Sequence, residues 1–248
     1  MSWIQALILG SLQGLTEFFP VSSSAHLKLA KFFLNVAEGQ NQVLFDLTCH
    51  LGTLIALLYF FKRDLSSLRR PAFLLALLPL IPCYFLLKPL RECLGRIEFL
   101  GFCLIGTSVL LFLGHFLKLK ATRSKQDPLY IGAMQALALI PGISRSASTI
   151  AAARLLGWDP KEAVRFSFLL AIPTIIGGNT LELVRLSLAE KSDLSLSFAS
   201  CLIGFLSSLG IGWLVIRFAM TLLERGTLKP FAWYCLCMGV LLSFKFYG

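Results

Sequence analysis

Charge is scarce in this sequence. Only 15% of its 248 residues are Asp, Glu, Lys or Arg, where a soluble domain carries about 25%. Polar runs are equally short. None exceeds about a dozen residues, and a compact soluble domain needs roughly 50 or more, so a separate water-soluble unit is excluded. The seven cysteines contain no CxxC pair. An odd, scattered set is neither a disulfide framework nor a zinc site. Six of them (Cys49, Cys83, Cys103, Cys201, Cys235 and Cys237) sit in apolar stretches, where a thiol packs as a small hydrophobe. The GxxxxGK[ST] phosphate loop is missing, so nothing supports work driven by ATP. No histidine follows residue 115, which removes the lipid-phosphatase scheme in which an Arg-containing motif precedes a nucleophilic His. The N-terminus lacks the basic flank and small-residue cleavage site of a secretory signal and is expected to be retained.

What the sequence has in abundance is apolar chain. Hydrophobic residues make up 56% and mean hydropathy is +0.77, which implies an all-α, polytopic membrane protein forming one integral-membrane domain. Spans of about 20 apolar residues are expected near 43–61, 72–87, 98–117, 163–184, 196–216 and 231–247. Two further apolar stretches are interrupted. Residues 2–34 contain Pro20 and the Ser22-Ser23-Ser24 cluster, and residues 129–157 contain PGISRSAS, Pro141 to Ser148. Proline and serine in mid-segment break a plain helix, and broken backbone at membrane depth persists only where protein or a wet cavity satisfies it. Both stretches are read as re-entrant helix–loop–helix hairpins whose tips meet in the interior. A pair of kinked spanning helices is the plainer alternative.

The net charge of +10 fits loop charge that sets orientation better than a nucleic-acid footprint. If neither hairpin crosses, segments 62–71, 118–127, Lys161 and 217–230 fall on one side with twelve Lys and Arg. Lys88, Arg91, Arg96, Arg185, Lys191 and Lys245 make six on the other. The positive-inside rule puts the first set in the cytoplasm. The chain also repeats. Gln13 and Gln135 lie 122 positions apart, and Ser22-Ser23-Ser24-Ala25 matches Ser144-Arg145-Ser146-Ala147 at the same offset. Phe45 with Thr53-Leu54-Ile55 recurs as Phe166 with Thr174-Ile175-Ile176 at 121. Two repeats, about 1–117 and 129–248, would each be a hairpin followed by three spans, inverted relative to each other as in many transporters. Chance similarity of serine-rich strings is the alternative.

Ionisable groups inside a membrane mark function by default. The hairpin tips would bring Gln13, Glu17, Ser22, Ser23, Ser24 and His26 towards Ser144, Arg145, Ser146 and Ser148. A guanidinium among hydroxyls, just past Pro141-Gly142, suits a phosphate. Its plain reading is a carboxylate-paired arginine, with Glu17 the obvious partner. Gln13 and Glu17 share a helix face, and Glu17 could hold a divalent cation beside phosphate oxygens. Otherwise Glu17 is salt-bridged, or protonated and hydrogen-bonded. His26, three residues after Ser23, is placed for acid–base work or is a satisfied core residue. The serines alone would be helix caps. Asp46 and His50 form another i, i+4 pair, suited to supporting the site, lining the cavity or sitting at the membrane interface. His115 belongs at an interface, and KRDLSSLRR is an orientation signal.

At these residues the sequence resembles the bacterial undecaprenyl-diphosphatase family, also called bacitracin-resistance proteins. QGLTEFFPVSSSAHL (Gln13 to Leu27) resembles its first, glutamate-rich motif and PGISRSASTI (Pro141 to Ile150) its second. FDLTCHLGTLIALL (Phe45 to Leu58) and FSFLLAIPTIIGG (Phe166 to Gly178) match as well. The resemblance implies a multi-pass enzyme of the bacterial inner membrane that hydrolyses undecaprenyl diphosphate to undecaprenyl phosphate and phosphate, with Mg²⁺ or Ca²⁺. It further implies a site open to the outer face. By motif position, Glu17, Ser23, His26 and Arg145 would be catalytic, with Glu17 on the metal. Gln13, Ser22, Ser24, Ser144 and Ser146 would join Arg145 around the substrate. Gln13 is the Gln variant of the first motif's Glu/Gln-x-x-x-Glu element. Ala25 and Ala147 stand where the family usually has glycine, so either the loop geometry differs or those glycines matter for their small size. A transporter or flippase of polyprenyl phosphate lipids is the rival from another class. A purely structural membrane subunit leaves the buried Glu, Arg and His unexplained. No nucleic-acid partner is expected, and the sequence admits a homodimer without specifying one.

Overall fold

The computed structural model describes residues 1–37, 39–119, 123–188 and 197–247, and every regular element among them is helical. Lys120 and Lys191, two of the counted loop charges, and Leu196, the first residue of the span expected at 196–216, lie outside the described residues.

The first interrupted stretch forms α1 (Trp3–Thr16) and α2 (Ser23–Phe33). A capping box starts α1: Ser2 Oγ accepts from the Gln5 amide while Gln5 Oε1 accepts from the Ser2 amide, satisfying two otherwise unpaired donors. The second stretch forms α8 (Asp127–Ala136) and α9 (Arg145–Leu155). Between the hairpins lie α3 (Gln40–Phe60), α4 (Pro71–Leu77), α5 (Leu80–Leu86), α6 (Lys88–Leu94) and α7 (Leu100–Phe116). After them come α10 (Pro160–Leu188), α11 (Phe198–Glu224) and α12 (Lys229–Tyr247).

Each hairpin starts and finishes at the same end of the molecule. At the first, Ser200 Oγ near the start of α11 donates to the Met1 carbonyl, and Phe32 and Phe33 at the end of α2 pack on Lys245 and Phe246 at the end of α12. At the second, Trp158 Nε1 donates to Asp127 Oδ2 over 2.9 Å, and the Leu119 amide donates to the Leu155 carbonyl over 2.7 Å. The two ends are opposite, because the 27-residue α11 is roughly 40 Å long at 1.5 Å per residue and leads to Gly226, which abuts Pro160.

The basic segments separate in the same way. At the α9–α10 end, Arg165 pairs with Asp64, Arg123 pairs with Glu162 at 2.8 Å, and the Arg123 guanidinium lies 3.8 Å from the Trp158 ring centroid. At the other end Arg91 and Arg185 share the Tyr84 ring, at 4.2 and 4.8 Å.

Among the described residues four helical segments are long and apolar enough to cross a membrane: 40–60, 97–116, 160–188 and 198–224. The count reaches five if the bent pair 71–86 and 88–94 is taken as one. Six were expected. The 72–87 span is interrupted between α4 and α5, and a 73° bend at its end leads into α6. Pro79, Pro82 and Pro89 each lack an amide hydrogen and crowd the preceding turn. The α12 helix, with a lysine near either end, falls short of that measure.

Close packing without bulky side chains holds the bundle. In α11, Gly204, Ser208 and Gly212 recur every four residues and receive Gly10 and Gly14 of α1 and Gly52 of α3. A β-carbon on Gly14 would lie 2.7 Å from the Ser208 carbonyl oxygen. Small residues at this spacing let backbones touch, the usual source of helix association in lipid. The α7 helix packs between α9 and α12, α4 packs on α8, and Ser108 Oγ ties α7 to the Ala232 carbonyl over 2.7 Å.

Candidate active site

The hairpin tips touch. The Gly142 amide donates to Ser24 Oγ (3.2 Å), and Ser146 Oγ donates to the Phe19 carbonyl (3.1 Å). Both tips use the same device. Ser22 Oγ caps α2 by accepting from the Ala25 amide, and Ser144 Oγ caps α9 by accepting from the Ala147 amide. In each, the capping hydroxyl also lies 3.2 Å from the hydroxyl two residues on, Ser24 or Ser146. The hydroxyls of Ser22, Ser24, Ser144 and Ser146 are therefore all engaged in building the junction. Ala25 and Ala147 sit in the first helical turn, buried, without positive φ, so what those positions require is small size. Ser148 turns away: its Oγ donates to the Ser144 carbonyl inside α9.

Two backbone features hold the tips in shape. Gly142 has φ of 101°, and a β-carbon there would come within 2.6 Å of the Cys103 β-carbon, so glycine alone fits. Ser22 adopts φ of 68° with a side chain present, a conformation costing about 1–3 kcal/mol. Its carbonyl accepts from His26 Nδ1 at 2.7 Å, besides the cap made by its hydroxyl. Thr107 of α7 braces the second tip, accepting from the Ser144 amide (3.1 Å) and donating to the Gly142 carbonyl (3.3 Å).

Glu17, just past α1, is the centre of the site and is only 9% exposed. Its Oε2 accepts from Ser23 Oγ (2.8 Å) and Gln13 Nε2 (3.0 Å); its Oε1 pairs with Arg145 Nη2 at 3.0 Å. The carboxylate thus joins the two hairpins through opposite charges. Arg145 is held from behind by the Ser167 carbonyl at 3.3 Å, and Ser167 Oγ is in turn bonded to Thr149 Oγ1 at 2.6 Å. The Ser23 hydroxyl donates to Glu17, not to His26. The His26 ring is engaged elsewhere, with Nδ1 on the Ser22 carbonyl and Nε2 2.6 Å from the Tyr234 hydroxyl of α12.

Asp46 and His50 part company. Asp46 pairs with Lys31, whereas His50 Nδ1 lies 2.9 Å from Gln13 Nε2 and 3.8 Å from Glu17 Oε2. An amide nitrogen only donates, so His50 Nδ1 accepts. Turning the Gln13 amide over would set its oxygen against the Glu17 carboxylate. His115 is half-buried in the last turn of α7, against Phe116.

A carboxylate, a serine and an arginine from the two hairpins thus meet in one largely buried cluster. The family model described as "Bacitracin resistance protein BacA" matches residues 6–241. The chain belongs to this family. Its relatives include a protein named undecaprenyl-diphosphatase from Protochlamydia amoebophila, 42% identical over 98% of both chains. Proteins of the same name from Rubrobacter xylanophilus and Methanobrevibacter smithii are 36% and 33% identical. The alignments cover 97% of this chain in both cases, and 97% and 96% of those proteins. The all-helical fold, with several helices able to cross a bilayer, is that of a multi-pass membrane protein.

The BacA-family chain offers a cation little of its own. No group of three His, Cys, Asp or Glu side chains converges among the described residues. What it does offer is Glu17 and, beside it, Gln13 Oε1, a buried acceptor with no hydrogen-bond partner. One carboxylate and one neutral oxygen suit a hard divalent ion that takes its remaining ligands from phosphate and water, so the residues present fit Mg²⁺ or Ca²⁺. Tyr234, Thr107 and Ser167 went unseen in the sequence. Tyr234 and Thr107 stand in apolar helices far from both motifs, and Ser167, although inside the Phe166 to Gly178 stretch, reads there as one small residue of an apolar helix.

Proposed function

We propose that this chain hydrolyses undecaprenyl diphosphate to undecaprenyl phosphate and inorganic phosphate, recycling the lipid carrier for peptidoglycan and other wall polymers and so conferring bacitracin resistance. The observation that carries this reading is the Ser23–Glu17–Arg145 chain of contacts across two hairpin tips. Phosphoryl transfer needs positioning and charge stabilisation above all, and Arg145 supplies both through its planar fork of donors. Two repeats of inverted sense, about 1–117 and 129–248, deliver one half of the site each.

In the resting site Arg145 is neutralised by Glu17. Diphosphate takes the guanidinium over, which strips Glu17 of its counter-charge. Glu17 and Gln13 Oε1 would hold a divalent cation, and its charge would replace the lost counter-charge and offset that of the phosphate oxygens. Ser23 Oγ attacks the terminal phosphorus while its proton passes to Glu17 Oε2, already 2.8 Å away. The Oγ–P bond forms as the bridging P–O bond breaks. Undecaprenyl phosphate leaves as a stable anion, since its last pKa is near 6, and needs no proton. Water then attacks the phosphoserine, giving its proton to His26 Nε2 as the Oγ–P bond breaks, and Glu17 returns the proton it took to Ser23 Oγ as phosphate departs. The end of the molecule bearing Lys62 to Arg70 and Arg123 faces the cytoplasm by the positive-inside rule. The first hairpin then opens to the outer face of the inner membrane.

The test is phosphate release from a C55 or shorter polyprenyl diphosphate by purified protein in detergent with Mg²⁺. Glu17→Ala and Arg145→Ala are expected to abolish it. No release from the wild type, or undiminished release from both variants, overturns the reading.

A further inference from the structure

The proposed reaction uses His26 as a base, and the surroundings of that ring go beyond it. Nδ1 lies 2.7 Å from the Ser22 carbonyl. A carbonyl only accepts, so in the neutral ring the hydrogen sits on Nδ1 and the basic atom is Nε2. That atom is not free: the Tyr234 hydroxyl lies 2.6 Å from it. The two rings also stack, with centroids 5.7 Å apart and planes 11° from parallel. Stacking and hydrogen bond together fix both the plane of the imidazole and the direction of its lone pair.

Tyr234 is itself firmly placed. The adjacent Cys235 is buried with Sγ directed at the Pro20 carbonyl of the first tip (3.8 Å). Two residues before Tyr234, the Ala232 carbonyl accepts from Ser108 of α7. His26 is buried while Tyr234 is 41% exposed, so the phenol sits on the open side of the ring. We propose that Tyr234 is the positioning residue for His26. Its hydroxyl aims and occupies Nε2 in the resting enzyme and yields that atom to the attacking water. The proposal rests on the phosphatase reading for its catalytic consequence only; the contact itself stands on geometry.

Only three histidines occur in the chain, so ¹⁵N-histidine NMR of the full protein in micelles resolves His26, assigned by its loss in His26→Asn. Tyr234→Phe keeps the stacked ring and removes the hydroxyl. The His26 Nε2 resonance is expected to move towards that of a free, unprotonated imidazole nitrogen. With polyprenyl diphosphate, kcat is expected to fall about tenfold, the size of one lost hydrogen bond, with KM within about twofold. In a His26→Ala background the same substitution should cost nothing more, because residues acting as a unit are not additive. A purely structural tyrosine would move neither the resonance nor kcat selectively. An unmoved Nε2 resonance overturns the contact, and the NMR needs no turnover, so that outcome counts even where the phosphatase reading fails. A moved resonance with unchanged kcat, or an equal loss in the His26→Ala background, overturns the positioning role while leaving the phosphatase reading intact.

Discussion

The Glu17–Arg145 pair should be the most strongly coupled pair of side chains in the molecule. Its side chains are 7% and 16% exposed and meet at 3.0 Å. Removing one partner of a buried pair leaves the other charged and unpaired, which costs about 3–5 kcal/mol. Arg145 retains the Ser167 carbonyl and some access to solvent, so the lower figure applies. Glu17→Gln keeps the shape and one acceptor oxygen but removes the charge. Arg145→Met keeps the length and removes the opposite charge. Each alone is expected to destabilise the resting protein by about 3 kcal/mol. In a chain of this size about 1 kcal/mol shifts the midpoint by 2–4 °C, so each single variant should melt roughly 6–12 °C lower. The double variant buries no unpaired charge and should melt within a few degrees of the wild type, a coupling of at least about 2 kcal/mol. Thermal unfolding in detergent, followed by tryptophan fluorescence at one fixed scan rate, measures all four corners of the cycle. Losses that simply add in the double variant would refute the claim that this pair joins the hairpins.

Ser23→Ala should lower phosphate release by about 10²–10⁴-fold while keeping the Glu17–Arg145 pair and lowering the melting temperature by only several degrees, the size of one lost hydrogen bond to a carboxylate; release at the wild-type rate would exclude Ser23 as nucleophile. Stripping divalent ions with EDTA should abolish release, and Mg²⁺ or Ca²⁺ should restore it. Activity that persists after chelation would show that Glu17 and Gln13 serve no cation. Gly142→Ala forces a β-carbon to within 2.6 Å of Cys103 at φ of 101° and should destabilise by about 1–3 kcal/mol, read as a lower melting temperature. An unshifted melt would show that the second tip is not held as described.

The hairpins were legible because membrane chemistry allows few excuses for Pro20, Pro141 and their serines in apolar chain. Glu17 and Arg145 were legible for the same reason: an ionisable group at that depth needs a partner, and each was the other's best candidate. The link from Ser23 to Glu17 was harder to see, since spacing along α2 suggested His26 instead. Helix geometry brings residues three apart to one face, but the Ser22 carbonyl and Tyr234 claim both ring nitrogens. Tyr234 itself was hidden among the apolar and aromatic residues of α12, where a lipid-facing tyrosine and a site tyrosine look alike in sequence. The bend before α6 was hidden for another reason. Three prolines in an apolar run warn of a kink, yet the direction and size of the turn depend on what the helix packs against.

Superposing the motifs by sequence shows why the two tips differ where they do. At the offset of 122, Ser22, Ser24 and Ala25 fall on Ser144, Ser146 and Ala147, and these are the residues that build the capped turn in both hairpins. Ser23 falls on Arg145, Glu17 on Leu139 and His26 on Ser148. The scaffold residues are shared and the reactive ones are not. A strictly duplicated tip could not have made this site. Two carboxylates or two guanidiniums meeting at about 3 Å would repel, and in the carboxylate case one would be driven to its neutral form. Placing the acid and the hydroxyl on one tip and the cation on the other turns the junction into an attraction that holds the fold at rest. In the proposed reaction a diphosphate would take over that attraction by replacing Glu17 on Arg145, so the contact that joins the two tips would be the contact the substrate has to break.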